Sequence, residues 1–235
     1  MFMNDNWHKL SPVEVMVDLD VSRSGLSNSE VELRRAKFGE NKLAEPERTP
    51  GWKRFLSQYN DPLNYLLIGA AIVALLIHPD EPGDAIFIFM VLTANAYFGY
   101  WQEGQAEQAM ESLKQMSVSQ CVVVRNDSDI EIATIDLVPG DIVNLYEGLN
   151  VPADIRILES FQCKIDESAL TGESLTVEKF TESLPEDTLL ADRKNMAFMG
   201  TCVASGRAVG VVVSTGMKTQ LGKIASDIAS SDTPK

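Results

Sequence analysis

One polar run of the sequence, KIDESALTGES at positions 164–174, combines side chains that can act on a water molecule or a proton. Gly172 stands among polar neighbours, which predicts a sharp exposed turn where the backbone can approach a partner closely. The next residue, Glu173, would present a carboxylate flanked by the hydroxyls of Thr171 and Ser174. Such a carboxylate can accept a proton from water and direct that water at an electrophile. A polar glycine turn is more often only a turn, so composition alone leaves both interpretations open.

The same run contains two serines, Ser168 and Ser174, that a hydrolase would need as a nucleophile. No G-x-S-x-G nucleophile elbow is present, and the two histidines, His8 and His78, lie far away in the sequence. A serine hydrolase is therefore the weakest hypothesis for this run.

Composition excludes several other classes of protein. The chain has 235 residues, with 34 acidic and 20 basic side chains and a net charge of −14. This acidic balance argues against a nucleic-acid partner, because phosphates need a basic surface. Cys121, Cys163 and Cys202 form no C-x-x-C pair, so neither a disulfide framework nor a metal site is predicted. The N-terminus has no apolar segment of the kind found in secretory signals.

The elements that must position the polar run begin with two apolar segments. Residues 62–102 contain no Lys or Arg, and within them 62–79 and 85–102 are uncharged runs of 18 residues each. Each run would span about 27 Å as a helix, close to the ~30 Å of a bilayer core. We therefore predict two membrane-spanning helices; the alternative is a pair of buried helices in a large soluble core. Aromatic side chains lie near the run ends, as in an interfacial belt: Tyr59, Tyr65, Tyr97, Tyr100 and Trp101.

Flanking charges predict the orientation of this hairpin. The loop 78–84 has no Lys or Arg, whereas four basic residues precede the first run: Lys42, Arg48, Lys53 and Arg54. The positive-inside rule then places both termini in the cytoplasm and the loop outside. We expect an integral protein of the plasma (inner) membrane, with the lipid bilayer as a partner.

The segments on either side of the hairpin differ from each other. Capping boxes of the form S-x-x-E begin at Ser11 and Ser27 and predict two short helices, the second ending at Gly39. Around this second helix, an apolar side is predicted from Leu26, Val31, Leu33 and Phe38. From residue 119 onward, short β-forming runs alternate with turn signals, and a helix follows near 218–229.

These patterns predict an α+β membrane protein with four regions. They are a helical unit at 1–50, the two membrane helices with a stalk at 51–117, a mostly β domain at 118–216 and a C-terminal helix at 217–235.

Five blocks of the sequence resemble the actuator domain of P-type cation-transporting ATPases in composition, order and spacing: LVPGDIVNL, VPADIRIL, DESALTGES, NMAFMGT and TGMKTQLGKIA. The N-terminal helices resemble that family's N-terminal domain, and the apolar runs resemble its first transmembrane hairpin. The resemblance thus covers essentially the whole chain. It points to the calcium and sodium/potassium branch, since the C-x-x-C modules of the heavy-metal pumps are missing. It also implies a distorted jelly-roll arrangement of the β domain.

The resemblance assigns a role to the polar run. Thr171, Gly172, Glu173 and Ser174 fall on the family's dephosphorylation loop, which rotation of the actuator domain brings to an aspartyl phosphate. There Glu173 would act as general base on the attacking water, and Gly172 would permit close approach. Positioning of this kind dominates catalysis of phosphoryl transfer. One departure is Thr176, where the family commonly has a proline, so φ is not fixed at the loop's exit.

The chain lacks the parts of the family that react with ATP. Neither the Asp-Lys-Thr-Gly-Thr phosphorylation motif nor a G-x-x-x-x-G-K-[ST] loop occurs in it. The resemblance implies ATP and Mg²⁺ as cofactors of a complete pump and none for this chain. We therefore expect that the chain alone neither hydrolyses ATP nor transports an ion.

Two hypotheses for the function remain. The chain is either the N-terminal portion of a pump, truncated or working with the remaining part as a split pump, or a membrane regulatory protein acting on a homologous full-length pump. Calcium is the leading candidate for the transported cation. Sodium, potassium and manganese stay open, because most ion ligands of the family lie on later helices.

Overall fold

The computed structural model describes residues 6–44, 50–77, 82–116, 119–172 and 175–231. The chain divides into two compact units, one within Met1–Glu45 and Ser119–Lys235 and the other within Pro46–Val118. The first unit combines helices with an antiparallel sheet. An α+β fold is thereby confirmed.

Two short helices of the first unit start at the predicted capping boxes. They are α1 (Pro12–Asp18) and α2 (Asn28–Phe38). In each box the serine hydroxyl accepts a hydrogen bond from the glutamate amide, and the glutamate carboxylate accepts one from the serine amide. Gly39 ends α2 with a φ of 81°, a conformation that glycine adopts at little cost.

Three of the four side chains predicted to form an apolar side around α2 are covered: Leu26 is 1% exposed, and Val31 and Phe38 are half-buried. None of the residues of α2 is buried, and Leu33 is 71% exposed. The helix is also held by the guanidinium of Arg34, which donates to the carbonyls of Leu19 and Pro139 at 2.7 and 2.9 Å. A polar anchor on the helix therefore accompanies an apolar side that is only partly buried.

The strands of the first unit form one antiparallel sheet. In the described part of the chain its order is β2-β1-β3-β7-β4-β5, with β6 paired to β4. Strands β4 and β7 are 13 residues long, and shifts of register between them mark bulges, which bend and twist a sheet. The bounds are β1 (Gln120–Arg125), β2 (Ser128–Ala133), β3 (Ile142–Tyr146), β4 (Asp154–Asp166), β5 (Thr176–Glu178), β6 (Met196–Ala197) and β7 (Cys202–Ser214).

Two clusters of buried side chains stabilise this unit. The larger lies among the strands and includes Val123, Val143, Ile155 and Val212. The second joins Trp7, Val15 and Leu19 of the N-terminal segment to side chains on the sheet such as Leu158 and Val211. Burial of these apolar groups explains why the segment around α1 belongs to the same unit as the sheet.

A buried carboxylate, Asp154, connects the sheet to the C-terminal helix α7 (Gln220–Ser231). It lies at the start of β4, is 3% exposed, and accepts hydrogen bonds from the amides of Met199 and Gln220 at 3.0 and 2.8 Å. Loss of hydration disfavours the charged form, so burial raises the pKa of Asp154 to about 6.

This raised pKa predicts a pH dependence of stability. The pKa in the folded protein, about 6, exceeds the ordinary value of 3.8, so the folded state binds the proton more tightly. Relative to an Asp154→Asn variant, we expect the wild-type free energy of unfolding to rise as the pH falls from 7 to 4, by up to about 3 kcal/mol. Urea unfolding of both proteins at several pH values measures this difference.

Asp166 provides a control of opposite sign. Hydrogen bonds from Ser168 lower the pKa of the Asp166 carboxyl. Relative to Asp166→Asn, the wild type should therefore lose stability as the pH falls. The prediction for Asp154 is contradicted if the difference in free energy of unfolding between wild type and Asp154→Asn stays constant or shrinks towards low pH.

The described residues of the second unit form three helices, α3 (Gly51–Ser57), α4 (Pro62–Ile77) and α5 (Gly83–Met116). Helix α5 continues without a break past the apolar run 85–102 into the region predicted to be the stalk. Among the described residues, only the stretch Gly83–Met110 is by itself long and apolar enough to cross a membrane. Helix α4, with 16 residues, is too short to cross by itself. Together α3 and α4 are long and apolar enough, but the chain bends by 74° between them. The two-helix membrane hairpin stays a prediction.

Polar contacts tie α3 to α5 within this unit. Arg54 forms an ion pair with Glu107, and its guanidinium lies 5.2 Å from the ring centroid of Tyr100. Phe55 packs edge-on against the same tyrosine, with centroids 6.2 Å apart. One of the basic residues on which the predicted orientation depends is thus held against the stalk part of α5.

Candidate functional site

The polar run 164–174 leads from β4 towards β5 in the first unit. The two strands pair in an antiparallel ladder that joins Lys164 to Glu178, Ile165 to Val177 and Asp166 to Thr176. Both ends of the loop are therefore fixed to the sheet. At the exit, Thr176 is already part of the ladder, so strand pairing supplies the constraint that proline would have supplied through φ.

A single helical turn, α6 (Ser168–Thr171), follows β4. The carboxylate of Asp166 accepts a hydrogen bond from the amide of Ser168 at 2.9 Å. The carbonyl of Glu167 accepts three, from the amides of Leu170 and Thr171 at 2.9 and 3.0 Å and from the Thr171 hydroxyl at 3.1 Å. Thr171 is thus bound to the start of the loop through both its backbone and its side chain.

Gly172 ends this turn in the left-handed conformation, with φ 76° and ψ −1°. Its amide donates to the carbonyl of Ser168 at 2.9 Å, and the residue is exposed. Apart from the glycine and its two chain neighbours, no heavy atom of the described residues lies within 4 Å of the place where a Cβ would stand. The predicted sharp exposed turn is confirmed, and within this chain the glycine is needed for its backbone conformation rather than for space.

A substitution at Gly172 should reveal that conformational requirement. We expect Gly172→Ala to lower the free energy of unfolding by about 1–2 kcal/mol, the cost of a left-handed L-residue. Gly148→Ala is a matched control, because Gly148 has a φ of 83° and equally open surroundings away from the site. Thermal or urea unfolding should show similar losses for both variants. A much larger loss in Gly172→Ala would mean that its Cβ meets a steric obstacle.

Two of the four predicted site residues, Glu173 and Ser174, lie outside the described residues. The structure places the other two, Thr171 and Gly172, next to each other at the exposed turn. On the far side, Leu175 is 78% exposed. Both described neighbours of Glu173 and Ser174 are therefore at the surface, and the roles of all four residues stay predictions.

Sequence reasoning missed a buried ion pair at the base of this loop. Lys179 Nζ lies 2.7 Å from Glu167 Oε1, and the side chains are 0% and 2% exposed. Burial raises the pKa of Glu167 and lowers that of Lys179, while the attraction between the two charges opposes both shifts. The sequence holds the opposite charges, but they meet only because β5 folds back on β4.

A second buried cation, Arg156 on β4, contacts the N-terminal segment. It is fully buried and donates to the carbonyls of Leu10, Ile157, Thr181 and Asn195 at 2.6–3.2 Å. Burial lowers the pKa of this guanidinium to about 10. Its side chain therefore joins three separate segments of the chain: the N-terminal segment, β4 and the stretch after β5.

The described part of the chain gives little support to a serine hydrolase or to a metal site. Ser168 hydrogen-bonds to Asp166, whereas the ring of His8 is buried with Nε2 at 3.2 Å from the carbonyl of Glu186. Burial lowers the pKa of His8. His78 lies outside the described residues. Among those described, no group of three or more His, Cys, Asp or Glu side chains could hold a metal ion.

Fold and site together define a β domain that carries an exposed loop on a fixed base and is linked to a separate unit of apolar helices. Residues 115–229 match the family model of the P-type ATPase actuator domain. Residues 7–74 match that of the cation transporter/ATPase N-terminus. The chain belongs to the P-type cation-transporting ATPases and corresponds to their N-terminal and actuator regions.

Curated relatives agree with this assignment. A calcium-transporting ATPase of Bacillus cereus is 40% identical over 233 residues, covering 97% of this chain and 26% of the relative. One of Listeria monocytogenes is 40% identical over 218 residues, with 93% and 24% covered. A cation-transporting ATPase of Synechocystis is 40% identical over 216 residues, with 92% and 24% covered. The chain thus spans about a quarter of the length of the relatives it matches.

Proposed function

We propose that this chain supplies the actuator part of an ATP-driven cation pump, in which residues 118–216 carry the loop 171–174 to an aspartyl phosphate on another domain. The observation that carries the proposal is the exposed left-handed turn at Gly172, one residue before Glu173, on a base fixed by the β4–β5 ladder. A short loop on a rigid base can enter a partner's site without losing its own shape.

In this proposal, each loop residue has a separate task. Glu173 accepts a proton from the attacking water and orients it in line with the phosphorus. Gly172 lets the backbone approach the phosphate, and Thr171 fixes the turn through its bonds to Glu167. ATP and Mg²⁺ belong to the complete pump, where they supply the phosphoryl group and neutralise its charge. Calcium is the proposed cation, since two of the relatives described above bear that name.

The second unit, which contains the proposed region 51–117, would anchor the chain in the membrane. We propose that α4 and α5 form a hairpin across the plasma (inner) membrane, with the helical unit 1–50, the β domain and the helix region 217–235 all in the cytoplasm. Their apolar side chains support this, since Leu66, Leu76 and Phe87 are each more than 60% exposed. Such surfaces are costly in water and favourable in lipid.

Cysteine labelling tests this topology. A Gly83→Cys variant in a Cys202→Ser background should react with a membrane-impermeant maleimide added outside intact cells, while Ser119→Cys should react only after lysis. The background is favourable because Cys121 and Cys163 are buried and Cys202 is only partly exposed. Equal labelling of both sites in intact cells would contradict the hairpin.

A chimeric pump tests the function itself. The segment of the Bacillus cereus ATPase that aligns with this chain is replaced by the chain, and ATP-dependent calcium uptake is measured in membrane vesicles. We expect uptake and a phosphoenzyme that turns over. A chimera that inserts and is phosphorylated by ATP but never dephosphorylates would contradict the proposed role of the loop. If the separate chain associates with intact homologous pumps and substitution of Glu173 does not change dephosphorylation, a regulatory role is supported instead.

A further inference from the structure

We propose that the ion pair between Lys179 and Glu167 positions the loop, with Lys179 acting as a positioning residue for Glu173. The inference rests on the proposed role of the loop in dephosphorylation. It adds a residue that lies outside the loop itself and touches neither water nor phosphate in that reaction.

The pair adds a side-chain contact to the strand ladder below the loop. Glu167 is the first residue of the loop after β4, whereas Lys179 follows the far end of β5, so the Lys179 side chain links the start of the loop to the strand that leaves it. The amide of Lys179 also donates to the carbonyl of Cys163 at 2.9 Å, which fixes its backbone to β4. The distance of 2.7 Å between Nζ and Oε1 is that of a charge-assisted hydrogen bond.

A short chain of contacts leads from this pair to the turn. Glu167 binds Lys179 through its carboxylate and binds Leu170 and Thr171 through its carbonyl. Thr171 is followed by Gly172, whose amide is bound to Ser168. If the Glu167 side chain moves, the carbonyl that organises α6 moves with it. The backbone of Gly172 is then no longer fixed, and neither is the attachment point of Glu173.

Stability alone does not account for charges at this place. Two ions buried at 0% and 2% exposure lose their hydration, and apolar side chains of similar volume are often at least as stabilising. Among the groups acting on Lys179, Lys194 adds a like charge, which leaves Glu167 as the main counter-charge. A directional contact between charges fixes geometry in a way that apolar packing does not.

Hydrogen exchange of the chain tests the structural half of the inference. We expect Lys179→Met to speed exchange of the amides of Leu170, Thr171 and Gly172 at least tenfold. Arg125→Met is the matched control, because it breaks another buried ion pair of the same unit, with Arg125 Nη2 at 2.6 Å from Asp141 Oδ2. If Lys179→Met does not fold, the neutral double variant Glu167→Gln/Lys179→Met takes its place. The inference is overturned if the loop amides exchange at the same rate in wild type and Lys179→Met. It is also overturned if Arg125→Met speeds their exchange as much as Lys179→Met does.

The chimeric pump tests the functional half. Lys179→Met should slow phosphoenzyme hydrolysis about tenfold while leaving its formation from ATP unchanged, and Lys179→Arg should restore most of the rate. A merely structural role would lower formation and hydrolysis together. If Glu173→Ala slows hydrolysis and Lys179→Met does not, only the positioning role fails. If Glu173→Ala has no effect, the proposed function fails as well.

Discussion

Replacing Glu173 by alanine in the chimeric pump is expected to slow hydrolysis of the aspartyl phosphate about 10²- to 10⁴-fold and to trap the phosphorylated state. This is the range that general-base catalysis contributes when the base is positioned for the attacking water. The strand ladder and the bonds of Thr171 provide that positioning up to Gly172. Formation of the phosphoenzyme from ATP should be unaffected, because it does not use the loop.

Decay of radiolabelled phosphoenzyme after a chase with unlabelled ATP measures this effect. Glu178→Ala is a suitable control, since Glu178 is an exposed carboxylate on β5, five positions further along the same segment. It should leave the decay rate within a factor of two. Glu173→Gln should resemble the alanine variant, because an amide cannot accept the proton. Normal decay in both Glu173 variants would remove this residue from the mechanism.

Replacing Arg156 by methionine is expected to destabilise the first unit by about 3–5 kcal/mol and to loosen the N-terminal segment. Methionine fills part of the volume but donates no hydrogen bond. The carbonyls of Leu10 and Thr181, each bound at 2.8 Å, would lose that donor. A buried acceptor without a donor loses its hydration uncompensated, which is why the expected effect is large.

Chemical unfolding of the full chain in detergent measures this loss, and proteolysis within residues 6–44 measures the release of the N-terminal segment. Arg207→Met is the matched control: Arg207 is exposed on β7, with its guanidinium 4.6 Å from the ring centroid of Phe161. Its loss should cost at most about 1 kcal/mol. Similar stabilities of the Arg156 and Arg207 variants would contradict the anchoring role of Arg156.

The elements governed by local sequence were predictable. The capping boxes at Ser11 and Ser27 set the starts of α1 and α2, since cap hydrogen bonds join residues only three positions apart. β1 begins at Gln120, one residue after the predicted start of the β-forming runs. The polar anchor of α2 was not predictable in this way, because Arg34 binds a carbonyl far away in the sequence.

By itself, the sequence determined the family, the order of the elements and the exposed turn at Gly172, because short motifs and nearest-neighbour hydrogen bonds are encoded locally. Tertiary structure alone decided which charges are buried and what they bind. Lys179 meets Glu167 only when β5 pairs with β4, and Arg156 meets the carbonyl of Leu10 only when the N-terminal segment packs on the sheet. The physical reason is that burial depends on contacts between distant segments, and burial is what makes a charge a precise anchor.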